Sequence, residues 1–220
     1  MTDERTTGPV PHSPGGARHL FDPGALCLEL LTTGGPGPYD ARYDVLHAPE
    51  DLTRWLGQSR LELPAGGIRI HTEQLASART LRDALRRLAV ARARGEAGSA
   101  ADYAVLNRAA AHPPLVPQIG PDGTPATPLP ADGDQLVSTL ARDAIALFTG
   151  PFADRVRECG AHDCHLIFVD TSRPGRRRWC SMERCGNLHK VRALRARRGR
   201  ADAESPAGPA DRVGPATGPV

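Results

Sequence analysis

The sequence predicts an α+β protein that is mainly helical: a helical N-terminal domain carrying a small hairpin, followed by a short hairpin-plus-helix module. Three observations predict it. Before residue 150, apolar residues recur at three and four along several stretches, as on helices that bury one face. Gly and Pro, 23 and 21 of the 220 residues, gather mostly at 1–19, 34–38, 112–133 and 199–220, and leave long uninterrupted segments between. Four of the five cysteines fall within 159–185, in a stretch too short to be held by core burial alone.

Taken in order, Leu26, Cys27, Leu28, Leu30 and Leu31 form an apolar run that fits a buried helix turn or a strand. Pro49, Glu50 and Asp51 open a helix, with acids near its positive end and Leu52, Trp55 and Leu56 facing inward. Residues 73–94 are the clearest helix, striped by Leu75, Ala78, Leu81, Leu85, Leu88 and Ala89. Arg79, Arg82, Arg86 and Arg87 lie off that stripe and read as a solvated face. Ala101–Ala111 is a shorter helix, and 115–130 reads as a weak hairpin turning at Pro121, Asp122 and Gly123. Residues 134–149 return to helix. The expected organisation is a disordered tail over 1–19, a helical regulatory or sensor domain over 20–150, the cysteine module over 151–199 and a second tail over 200–220.

The cysteines carry the chemistry. Cys159 and Cys164 form one C-x4-C pair, and Cys180 and Cys185 a second, fifteen residues on. Such pairs present two sulfurs from one tight knuckle, and two knuckles close a tetrahedral shell around one structural Zn2+. An iron–sulfur centre or redox thiols are the competing uses. His162, His165 and His189 are spare ligands that would make the shell Cys3His, while Cys27, remote in an apolar run, reads as core. Leu166–Asp170 is a β-type run, Ser172–Gly175 a turn, and Arg176–Trp179 returns toward Cys180 as the hairpin's second arm. Leu188, Val191 and Leu194 then share a helix face. Hairpin, knuckle and helix about one metal describe a treble-clef-like zinc finger. A closed thiolate shell leaves no position for a reactive water. No nucleophile–base pair or phosphate loop is apparent either, so an enzyme is not expected.

The run Trp179-Cys-Ser-Met-Glu-Arg-Cys-Gly-Asn187, with Cys159, Cys164 and Phe168–Arg173 upstream, resembles the CGNR zinc finger family. Residues 26–32, 48–56, 81–88 and 140–144 are similar to that family's companion N-terminal domain, so the resemblance spans about residues 20–199. It implies zinc ligation by Cys159, Cys164, Cys180 and Cys185, and a stress-responsive bacterial transcription regulator whose finger binds DNA. The motif's last Arg is Leu188 here. That position is not a ligand, so the change bears on DNA contact rather than on zinc.

Charge placement points the same way. The net charge is only +3, yet residues 155–200 carry thirteen basic and four acidic side chains, a net +9, leaving −6 elsewhere. Such a basic face suits duplex DNA, and the expected contacts are Arg173, Arg176, Arg177, Arg178, Arg184, Lys190, Arg192, Arg195, Arg197 and Arg198. The spread of these charges around the helix suits phosphates better than one line of base edges. A protein–protein adaptor with a basic docking surface is the alternative. Aromatics at 4% disfavour single-strand stacking. No run approaches the roughly 20 apolar residues of a membrane helix, and Met1–His19 lacks a secretory pattern. The expected setting is therefore the cytoplasm, nucleoid-associated if DNA is bound. A homodimer through the N-terminal domain and a small-molecule effector are further expectations to which no residue can be assigned.

Overall fold

The computed structural model describes residues 21–35, 41–61, 63 and 66–204. The tail expected at 1–19, and 205–220 of the second tail, lie outside the described residues.

The first apolar run forms helix α1 (Leu26–Leu30), all five residues buried, with the Cys27 N–H donating to Asp143 Oδ2 at 2.8 Å. Helix α2 (Pro49–Leu56) begins at its proline, and the Asp51 carboxylate accepts the N–H groups of His47 and Ala48 ahead of it. Strand β1 (Ile68–Arg69) leads into the long helix α3 (Thr72–Arg94), which buries the predicted stripe. Helix α4 (Ala100–Ala110) starts at Ser99, whose hydroxyl accepts from Ala101 N–H. The weak hairpin is present as β2 (Gln118–Ile119) antiparallel to β3 (Pro125–Ala126). Strand β4 (Ala131–Asp132) pairs parallel with β1, then helix α5 (Gly133–Thr149) begins under a reciprocal cap between Asp132 and Gln135. Helices α1, α3, α4 and α5 enclose one apolar core rich in leucine.

Two arginines expected on a solvated face are buried instead. Arg82 is 1% exposed. Its guanidinium spans both Asp44 oxygens at 3.1 and 2.9 Å and also meets Asp83 at 3.0 Å. Arg86 is buried as well. Arg79 and Arg87 do stay exposed, paired with Asp44 and Asp102. The helical period puts Arg82 at the edge of the stripe, where the segment leading to Asp44 and Leu46 lies over it; periodicity on α3 alone does not show that cover.

After α5, a single 3-10 turn leads into β5 (Val156–Glu158), antiparallel to β6 (Ile167–Val169), with Val156 opposite Val169 and Glu158 opposite Ile167. This corrects the expected hairpin. The partner of the 166–170 run lies before the first cysteine pair, and Arg176–Trp179 is not a strand. Strand β6 is buried on both faces. Ile167 and Val169 join the helical core with Val156, while Phe168 turns to the cysteines. The entering chain is fastened here too. Gly24 sits at φ 84°, where a Cβ would stand 3.2 Å from Val169 Cβ, and Val169 N–H donates to Pro23 O.

Helix α6 (Asn187–Glu204) follows the second cysteine pair and runs past the end expected at 199. Its stripe is only half covered among the described residues: Leu188, Val191 and Leu194 are 51, 45 and 49% exposed.

Asp44→Ala removes the bidentate partner of the buried Arg82 and leaves it only Asp83 at 3.0 Å, so unfolding free energy should fall by about 3 kcal/mol in urea titration. Burial raises the Asp44 carboxyl, but hydrogen bonds from Arg82 and Leu46 outweigh it and hold the group below its ordinary value. Its stabilising share is therefore present above the unfolded carboxyl value, about pH 4, and is lost as pH falls below that. Denaturant midpoints for wild type and Asp44→Ala should converge on acidification through that window.

Candidate metal centre and the basic surface around it

The hairpin presents the first cysteine pair. Cys159 directly follows β5, where its N–H donates to Leu166 O, and Cys164 closes a turn onto Ala161 O. Of the second pair, Cys180 precedes one wide helical turn, Met182–Gly186, that opens α6, and Cys185 lies within it. Gly186 lets the Met182 side chain lie close against this turn. A Cβ on it would stand 2.8 Å from Met182 Sδ and 3.4 Å from Trp179 Cδ1.

These pieces bring Cys159, Cys164, Cys180 and Cys185 together, all buried, with their sulfurs within 4.8 Å of one another. Cys164 and Cys180 are 3.7 Å apart, and Cys180 and Cys185 3.5 Å. Four sulfurs each ~2.3 Å from one zinc would stand roughly 3.8 Å apart at the corners of a tetrahedron, so the spacing fits that ion. The proton arrangement fits as well. Hydrogen bonds from Cys164 and Cys180 hold the Cys159 thiol far below the ordinary thiol range and push both donors above it, while burial raises Cys185. A divalent cation held by the four sulfurs would displace their protons.

None of the spare histidines belongs to this set. His162 is exposed beside Asp163, His165 meets Glu158 Oε1, and the His189 ring lies 4.7 Å from that of Trp179. Cys27 is buried in the helical core, as expected.

Around the sulfurs stand Phe168 and Phe21, both buried, with Trp179 half-buried beside them; Phe21 is a residue that the sequence reading did not single out. Asp170 is their polar counterpart. Its carboxylate accepts from Ser172 N–H, Ser172 Oγ and Arg177 N–H, tying the 170–177 turn. Burial raises its carboxyl, and these bonds more than reverse that. The Asp-x-Ser spacing carried the signal for this turn.

The expected DNA contacts divide. Arg177 points inward: its guanidinium lies 4.2 Å from the Phe168 ring centroid and donates to the carbonyls of Trp179 and Cys180. It braces the knuckle. Arg192 pairs with Asp163 at 2.9 Å, joining α6 to the first knuckle, and Arg184 is half-buried beside Cys185. Arg178 is exposed against Trp179. Arg173, Arg176, Lys190, Arg195 and Arg197 are exposed and make no ion pair among the described residues. The side chain of Arg198 lies outside the described residues.

A mainly helical body joined to a four-cysteine finger with a basic outer face defines a zinc-finger protein. Residues 24–151 match the ABATE family model, described as "Putative stress-induced transcription regulator", and residues 155–198 match the model described as "CGNR zinc finger". The chain belongs to the ABATE family and carries a C-terminal CGNR zinc finger. These are regulator and zinc-finger families rather than enzyme families. No curated protein matches the chain. No helix among the described residues is long and apolar enough to cross a membrane.

Cys180→Ser should abolish binding of the single zinc, measured by elemental analysis, whereas Cys27→Ser should keep it. Because Val156, Ile167 and Val169 are core residues, the loss should also melt the helices early. A loss of ~4 kcal/mol lowers Tm by about 10 °C at this chain length. An unchanged zinc content and melt in Cys180→Ser would refute the assignment.

Proposed function

We propose that this regulator acts on duplex DNA, gripping phosphates with the outer face of its zinc finger. One observation carries the reading: where positive charge is left unspent. In the helical body, Arg54, Arg60, Arg79, Arg82, Arg87 and Arg94 each meet a carboxylate. On the finger, Arg173 and Arg176 at the turn and Lys190, Arg195 and Arg197 on α6 meet none among the described residues. Unpaired, exposed cations on a rigid frame are ready to replace the counterions of a phosphate backbone. The zinc supplies that rigidity and no chemistry. Its four thiolates, from Cys159, Cys164, Cys180 and Cys185, fix the distance between the 173–178 turn and α6. A regulator working in this way acts in the cytoplasm, at the nucleoid.

A second reading, a protein-docking adaptor, draws on the half-exposed stripe of Leu188, Val191 and Leu194, together with Met182 at 54% exposure. Phosphates do not cover apolar side chains.

Gel-shift titration of the zinc-loaded full chain separates the two. If Arg173, Arg176, Arg178, Lys190, Arg195 and Arg197 each neutralise one phosphate, log affinity should fall against log salt with slope about −5. Each single Ala substitution among them should reduce the slope by about one without unfolding the chain. Arg177→Ala should act differently, lowering zinc retention and Tm first. Absence of any shift at low salt would refute DNA binding and leave the adaptor.

A further inference from the structure

We propose that the helical body binds a small apolar carboxylic acid in the cleft between α3, α4 and α5. The cleft has a volume of about 390 Å³, within the range of small-molecule sites. Its floor is apolar: Leu81 and Val137 are buried and Val105 half-buried. Its walls are low because small residues stand where three helices meet, Ala76 and Ser77 on α3 and Ala109 on α4. A flat or branched hydrocarbon of benzoate size can lie on that floor.

The rim decides the chemistry. Arg108 and His112 stand four residues apart at the end of α4, and both line the cleft. Neither side chain makes an ion pair or hydrogen bond among the described residues, in a body where most arginines are matched with acids. His112 is held in place through its backbone, its carbonyl accepting from Ser138 Oγ at 2.6 Å. At the cleft's edge on α5 lies Asp134, one carboxylate oxygen already accepting from Gln74 Nε2 at 3.3 Å. A carboxylate ligand is repelled by Asp134 and attracted to Arg108, which fixes its direction: acid group toward α4, hydrocarbon over Leu81 and Val137. The guanidinium supplies two parallel donors to a carboxylate, and the imidazole can supply a third. A neutral ligand gains none of the charge-assisted part of this, and a cation is repelled by Arg108 and drawn only to Asp134, whose carboxylate is already engaged by Gln74.

The test is an amide-resolved NMR titration of the zinc-loaded full chain with benzoate, benzamide and benzylamine. Benzoate should give saturable shifts at Ala76, Ala109 and Val137, with benzamide at least about tenfold weaker and benzylamine weaker still. Arg108→Gln should bring benzoate down to the benzamide level, and Ser77→Leu, which fills the trough, should remove binding of both. Arg69→Gln, outside the cleft, should bind as wild type does. Arg108 and Ser77 are exposed, so a thermal melt should show both variants folded. Equal binding of benzoate and benzamide, tighter binding of benzylamine, unchanged benzoate affinity in Arg108→Gln, or no shift at tens of millimolar would each overturn the proposal.

Discussion

Everything in this protein depends on three residues of one short strand. In β6, Ile167 and Val169 face the helical core while Phe168, between them, faces the cysteines. The two-residue period of a strand permits no other division. Neither side could keep this arrangement alone. The finger has too little apolar surface to hold itself without a metal, and the helical core would lose Val156, Ile167 and Val169 if the hairpin came away. Arg94 on α3 reinforces the seam by meeting Glu158 on β5, and Arg92 reaches Asp154 just before it. The finger is thus built onto the helices rather than tethered to them, and its zinc belongs to the stability of the whole.

The same economy governs charge. Arg176, Arg177 and Arg178 are neighbours in sequence with unlike roles. Arg177 is spent on Phe168 and two carbonyls, which closes the turn; Arg176 and Arg178 are thrown outward by that closure. Arg155 behaves like Arg177, its guanidinium donating to the carbonyls of Asp170 and Ser172. Inward arginines build the platform from which outward ones project, and a mutational scan that treats them alike would mix folding with binding.

The four cysteines were legible in the sequence because ligand spacing is local: a C-x4-C pair fits one knuckle whatever surrounds it. Helices α2 to α5 were legible for a similar reason, since an apolar stripe and a cap are properties of a single segment. What failed involved a second segment. The pairing of 167–169 with 156–158 was missed because a three-residue strand such as Val156–Glu158 shows no period, and the nearer Arg176–Trp179 looked an equally good arm. Arg82 was read as solvated because its cover, the stretch around Asp44, lies some forty positions away. The stripe on α6 was read correctly as a face, but a stripe does not say that anything packs on it. Arg108 and His112 could be seen one turn apart, yet the floor beneath them is assembled from three helices.

Helix α3 connects these separate features. Ala76, Ser77, Thr80 and Leu81 near its start line the cleft, while Arg92 and Arg94 at its end hold the segment that carries β5. The two ends are roughly 20 Å apart at 1.5 Å per residue. A helix packed along its length passes on tilt or translation rather than local strain, because its interior contacts leave no room for a bend. An occupant of the cleft can therefore reach the finger only by favouring one seating of α3 over another, and the coupling equals the difference in its affinity for the two. The buried Arg82–Asp44 pair lies at the cleft end of that path, one residue past Leu81. It ties α3 to the chain before α2 through charges that cannot be left unmatched, so the seatings open to α3 are those that keep this pair intact, such as rotation about it.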